Sequence, residues 1–160
     1  MRLLVNLLLW PYIPWASRWV AEQEALIVVR GEVLTLDQQN DARRAGVAAP
    51  EKIHIMVVDS IQPPNHPVLT FASRFVNLIG PHTAGLTLRY GIYIRKDCSD
   101  YQHHRELYVH EFCHTAQYER HGSIHGFLVD YLRECLTPGY PHGPLERQAD
   151  RTAKKMVGRG

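Results

Sequence analysis

Residues 110 to 114 of the chain read His-Glu-Phe-Cys-His. Two imidazoles four positions apart on a helix share one face about a turn apart, close enough for both to reach a single ion. Glu111 stands next to them, where its carboxylate reaches a water on that ion without being a ligand itself. The chemistry open to such a set is metal-assisted hydrolysis, with Glu111 as the base. Val109, Phe112, Cys113 and Ala116 fall on the far side of the helix, so the spacing predicts a chemical face and a core face. Cys113 therefore reads as a packed thiol and not as a redox group.

A catalytic zinc site takes three protein ligands and leaves one position to water, so a third ligand has to come from elsewhere in the chain. Three places compete. A histidine six residues after His114, with a glycine at position 117, would make a metzincin pattern, but those positions hold Arg120 and Gln117. Glu134 lies at a plausible distance along the chain, with no carboxylate one turn later. Glu146 is the better candidate: it opens a fresh helix just after Pro144, Ala149 leaves room for close approach, and Asp150 can accept a hydrogen bond from a ligand imidazole and orient it. The plain alternative is an acidic first turn favoured by the helix dipole.

The elements that must position these groups follow from the local patterns. Positions 17 to 29 suit a helix, and a turn at Gly31 and the polar run from Asp37 lead into a second short one closed by Gly46 and Pro50. Lys52 to Ile61 is rich in β-branched residues and reads as a strand. Phe71 to Ile79 reads as a short helix or an irregular cover. Gly85 to Arg95 reads as one continuous strand, with Leu86, Leu88, Tyr90, Ile92 and Ile94 on a buried face and a partly polar face opposite. Three helices follow: Arg105 to about Arg120, one capped by Ser123 with Ile124, Phe127, Leu128, Tyr131, Leu132 and Cys135 as its apolar stripe, and one from Pro144 to about Met156. Strands before helices make an α+β fold.

His-Glu-x-x-His followed by Glu-x-x-Ala-Asp resembles the gluzincin clan of zinc peptidases, and in particular short bacterial zincin-like domains. The residues carrying the resemblance are His110 to Gln117 and Pro144 to Asp150, so it rests on the last half of the chain. It implies Zn2+ held by His110, His114 and Glu146, and an edge strand above the cleft, in the place of Gly85 to Arg95, that pairs with an extended peptide. It also implies that Glu111 takes a proton from water and returns it to the leaving amine. A developing oxyanion needs a further donor, and His121, His125, Tyr131, Tyr140 and His142 are all candidates for that or for substrate contact. His121 itself is about 10 Å along the axis from His114, too far to share the ion. Two other functions fit the same motif: a zinc-binding interaction module without turnover, and an esterase or amidase with a non-peptide substrate.

The bulk properties agree with a compact enzyme and narrow its partners. A chain of 160 residues, 45% apolar and 21% charged, suits one domain, residues 1–160, with a mostly helical region over 1–50 and a catalytic core over 51–160. The net charge of +2, spread over the chain, offers no electrostatic stripe for nucleic acid and leaves the substrate open; a peptide or protein substrate is the partner that the resemblance implies. The 3 cysteines form no Cys-x-x-Cys pair and read as reduced and mostly buried. The apolar N-terminus is interrupted by Asn6, Pro11 and Pro14 and is too short to span a bilayer. Trp10, Tyr12, Trp15 and Trp19 suit either core packing or contact with a membrane surface. The cytosol is the expected compartment, with a membrane-associated or exported protein as the other readings of that segment.

Overall fold

In the computed structural model, residues 11–65, 79, 80, 82–135 and 141–158 are described. Among them are five α-helices and a four-stranded mixed sheet, an α+β architecture. Helix α1 spans Ile13–Arg30, and strand β1 spans Glu32–Val33. Helix α2, Leu36–Ala45, is followed by β2, His54–Val58. Strands β3, Gly85–Leu88, and β4, Gly91–Arg95, precede helices α3, Arg105–His121, α4, Ile124–Glu134, and α5, Pro144–Val157. The expected element at Phe71 to Ile79 lies outside the described residues except for the buried Ile79.

The continuous strand expected over Gly85 to Arg95 is instead a hairpin. Leu88 pairs with Gly91, and the chain reverses through Arg89 and Tyr90. Arg89 takes a positive φ of 61°, an unfavourable conformation for a long side chain, and its surroundings hold it there. Its guanidinium Nε donates to both Glu24 carboxylate oxygens at 2.8 and 3.0 Å, the Tyr90 N–H donates to the same carboxylate at 3.1 Å, and the Arg89 carbonyl accepts from the Thr115 hydroxyl at 2.8 Å. Alternation in the sequence cannot reveal this turn, because no Asn-Gly or Asp-Gly marks it. The reversal also redistributes the side chains. Partners across an antiparallel pair share a face, so Leu86, Leu88, Gly91 and Tyr93 lie on one side and Gly85, Thr87, Ile92 and Ile94 on the other.

The sheet order is β1-β2-β4-β3, with β2 and β4 parallel and both edge pairs antiparallel. Both faces are covered, giving a layered fold with the sheet in the middle. On one face Ile27 and Val20 of α1 pack with Leu88, Tyr93, Phe127 and Leu128. Gly91 allows the close approach, since a Cβ there would stand 2.9 Å from the Ile27 Cδ1 and 3.1 Å from the Glu24 Cα. On the other face Ile92, Ile94, Ile53 and Ile55 pack with Ala42 of α2 and with Tyr108, Phe112 and Ala116 of α3. Helix α5 covers α3 from behind, with Val109 against Ala153 and Met156.

Two of the five helices begin on side-chain caps. The Thr35 hydroxyl accepts from the Gln38 N–H, and the Gln38 side chain accepts from the Thr35 N–H, a reciprocal box that starts α2. Ser123 caps α4 by accepting from the Gly126 N–H at 3.0 Å. Helix α5 has no cap from its own N-terminal residue. Glu134, the last residue of α4, accepts from the Leu145 N–H at 2.8 Å and so ties the start of α5 to the end of α4. Beyond the sheet, Glu119 accepts from the Ala48 and Ala49 N–H groups at 2.6 and 3.0 Å, fixing the loop after α2 to α3.

No helix among the described residues is long and apolar enough to cross a membrane. Of the N-terminal aromatics, Trp19 packs partly against the α1 face of the core, whereas Tyr12 and Trp15 are 37% and 55% exposed. Trp10 lies outside the described residues.

Candidate metal centre

Helix α3 is enclosed by the sheet on one side and α5 on the other, and that decides the environment of its motif. The expected division into a chemical face and a core face does not hold. Val109, Phe112, Cys113 and Ala116 are buried as expected, yet Glu111, His114, Thr115 and Gln117 are buried as well. Polar groups in that position need partners, because an unsatisfied buried donor or acceptor costs about 1–3 kcal/mol. Each of the four has one.

His110, His114 and Glu146 come together as a group that could hold a metal ion, with one ligand atom from each lying within 4.8 Å of the others. The two imidazoles face each other through Nε2 at 3.0 Å. Glu146 reaches them with different oxygens, Oε2 at 3.4 Å from His110 Nε2 and Oε1 at 3.2 Å from His114 Nε2. The carboxylate comes from the first turn of α5, where the helix dipole favours negative charge. Burial by itself pushes Glu146 toward the neutral acid, but His110, His114 and the Tyr131 hydroxyl beside it outweigh that and hold the carboxyl well below the usual carboxylate range. Burial likewise opposes charge on His110, while Glu146, Glu111 and Asp150 around it raise its pKa to about 9.

A ring of partners fixes the orientation of each group. Asp150 Oδ1 lies 3.0 Å from His110 Nδ1, the contact expected of it. On His114 the corresponding nitrogen is 2.8 Å from the Gln117 Oε1. The Tyr131 hydroxyl donates to Glu146 Oε1 at 2.6 Å, and its ring stands edge-on to His114 with centroids 5.8 Å apart. Glu111 is set apart from the other carboxylates. Its Oε2 accepts from the Thr87 hydroxyl of the edge strand β3 at 2.6 Å, and the same hydroxyl lies 3.0 Å from the Glu111 carbonyl. Gly85 of that strand makes room for it, since a Cβ at Gly85 would stand 2.5 Å from Glu111 Oε1. Glu111 is thus held against the edge strand while its charge still acts on His110.

Other expected participants are elsewhere. His121 Nδ1 accompanies the Gln117 carbonyl at 2.7 Å and its Nε2 faces Asp130 at 3.3 Å, so it closes the end of α3 instead of facing the centre. His142 is exposed and His125 lies exposed on α4. Tyr140 lies outside the described residues. Glu134, the rival for the third ligand, is occupied as the anchor of α5. Cys98, Cys113 and Cys135 are free and buried, and burial raises the Cys113 thiol to about 11.

Two partners escaped the sequence reading. Thr87 had no signal beyond its place on the polar side of an alternating run, because its bond to Glu111 spans 24 residues of sequence. Gln117 had one. It lies three residues after His114, on the same side of the helix one turn on, where a side chain can meet the second ring nitrogen.

Compared with protein-family models, with curated proteins and with solved structures, the chain matches none of them. What is established about the centre therefore rests on its own geometry: a His-His-Glu cluster between two helices that could hold a metal ion.

Proposed function

We propose that this chain is a zinc-dependent hydrolase of the gluzincin type, and that its substrate is a peptide or protein. Tetrahedral zinc with ligand distances of about 2.0–2.2 Å sets its donor atoms about 3.3 Å apart. The two Nε2 atoms stand 3.0 Å apart, close to that spacing, and the two oxygens of Glu146 stand 3.4 and 3.2 Å from one imidazole each. Two imidazoles and one carboxylate also match the ligand types of catalytic zinc, with one position left over, whereas structural sites are closed by four ligands, usually with cysteine. When bound, zinc supplies Lewis acidity, bringing the pKa of water toward neutrality and polarising a carbonyl.

The protein's own contribution is positioning and proton transfer. Thr87 holds one oxygen of Glu111 at 2.6 Å. The other, Oε1, takes a proton from water and returns it to the leaving amine. Asp150 and Gln117 keep the two imidazoles turned with Nε2 toward the ion. Among the described residues Tyr131 is the one named candidate for the oxyanion that reaches the cluster, and in that role its hydroxyl turns from Glu146 to the developing charge. An extended peptide added along the edge strand β3 would run beside Thr87 and Glu111, with backbone hydrogen bonds holding it and side-chain pockets selecting it.

The observation that carries this reading is a buried carboxylate, Glu111, held by the edge strand next to a three-donor cluster to which it does not belong. A site built only to bind metal has no use for it. The test is metal analysis of the wild type and of His110→Ala, His114→Ala and Glu146→Ala, followed by a peptide library and small esters offered to wild type and Glu111→Gln. Peptide cleavage that disappears in Glu111→Gln while zinc stays bound supports the proposal. Turnover of esters alone assigns the centre to a non-peptide substrate. Zinc bound with no turnover of either makes it a binding module.

A further inference from the structure

Gln117 is fully buried, and its amide makes three contacts, none with solvent. One amide atom lies 3.0 Å from the Leu145 carbonyl. A backbone carbonyl only accepts, so that atom is the nitrogen, Nε2. Its second hydrogen goes to the Gln148 Oε1 at 3.0 Å, which also accepts from Arg120 at 3.3 Å and is therefore itself an oxygen. The other atom of the Gln117 amide is then Oε1, which only accepts. It lies 2.8 Å from His114 Nδ1, so Nδ1 carries the hydrogen. The Nε2 lone pair of His114 is left pointing at His110 and Glu146, 3.0 and 3.2 Å away.

A chain of hydrogen bonds that starts at a peptide carbonyl of α5 thus reaches the imidazole whose other nitrogen faces His110 and Glu146. The residue after that carbonyl is Glu146, the ligand α5 delivers. We infer that Gln117 is a positioning residue that couples the two ligand helices, setting the His114 tautomer and the placement of Glu146 through one amide. This rests on the metal reading proposed above and adds to it a cause for the centre being preformed. Asp150 performs only the first half of that task for His110, as its carboxylate accepts and donates nothing in return.

The two halves separate by substitution. Gln117→Glu keeps an acceptor for His114 but sets a carboxylate against the Leu145 and Gln148 oxygens. Gln117→Met keeps the length and loses both. Zinc affinity, measured by competition with a chromophoric chelator, is expected to fall about 10–100-fold in each, the cost typical of removing an orienting partner. The absorption spectrum of the Co2+-loaded Gln117→Met protein is expected to shift from that of the wild type as the ligand field distorts. A long-range 1H–15N spectrum of metal-free wild-type protein, at mildly alkaline pH, needs no variant and is expected to show His114 as the Nδ1–H tautomer. Gln117→Glu retains that tautomer and Gln117→Met does not.

Wild-type zinc affinity in Gln117→Met, or an Nε2–H tautomer of His114 in the wild type, overturns the coupling and leaves the metal centre standing. A wild type that takes no metal, while His114 shows the Nδ1–H tautomer, overturns the zinc reading and the role of the amide toward it together.

Discussion

The bond between Thr87 and Glu111 joins the edge strand to α3, and its strength can be measured without knowing any substrate. Thr87→Val removes the hydroxyl and keeps the shape of the side chain. Both residues are buried, at 7% and 5% exposure, and the bond is short at 2.6 Å. Hydrogen bonds to a charged group contribute about 1.5–3 kcal/mol, and here the carboxylate left behind has little access to water. The metal-free variant should therefore be less stable by about 1.5–3 kcal/mol. At about 2–4 °C per kcal/mol for a chain of this size, its melting midpoint should fall by about 3–12 °C. Urea unfolding followed by tryptophan fluorescence gives the free energy, and a cycle with Glu111→Leu, which leaves no acceptor for the hydroxyl, isolates the pair. Residues in one hydrogen bond should couple by about 0.5–3 kcal/mol, whereas independent sites add to within about 0.5 kcal/mol. Additive effects of Thr87→Val and Glu111→Leu would refute the claim that the strand holds Glu111.

Three further outcomes follow from the same geometry. Glu146→Ala should abolish tight metal binding by equilibrium dialysis, whereas Glu134→Ala should keep it and lose about 1 kcal/mol of stability through the missing anchor of α5, and the reverse pattern would exchange their roles. Gly85→Ala should force Glu111 off Thr87, because its new methyl would meet Oε1 at 2.5 Å, and overpacking of this kind costs about 1–3 kcal/mol in urea unfolding along with any peptide cleavage. Asp41, bonded by Arg105 at 2.6 and 2.9 Å and by Tyr101, is held below its ordinary pKa chiefly by the Arg105 hydrogen bond, against burial. Its contribution is complete above the unfolded carboxyl pKa of about 3.9 and is lost as pH falls through the lower folded value. Asp41→Asn should thus be less stable than wild type at neutral pH, with the gap closing in strong acid, and a gap that stays constant with pH would contradict the assignment.

The parts of this protein legible in its sequence are those governed by local spacing. The three C-terminal helices begin at Arg105, next to Ser123 and at Pro144, because the Ser123 cap, a proline at a first helical position and a 3.6-residue period all act within a few positions along the chain. For the same reason the pairing of His110 with His114 was readable, since one helical turn sets their separation. The meeting with Glu146 was expected from order and motif, but the 3.2 and 3.4 Å contacts exist only because α5 packs across α3. The tertiary structure alone decided the hairpin at Arg89, whose reversal depends on Glu24 from a helix 65 residues earlier. It also decided that residues 111–118 of α3 are buried all round, and that Glu111 answers to Thr87 and His114 to Gln117. A local pattern says which face of an element is apolar. How many neighbours cover that element depends on contacts between segments far apart in the chain, and those contacts chose the partners of every buried polar group around the centre.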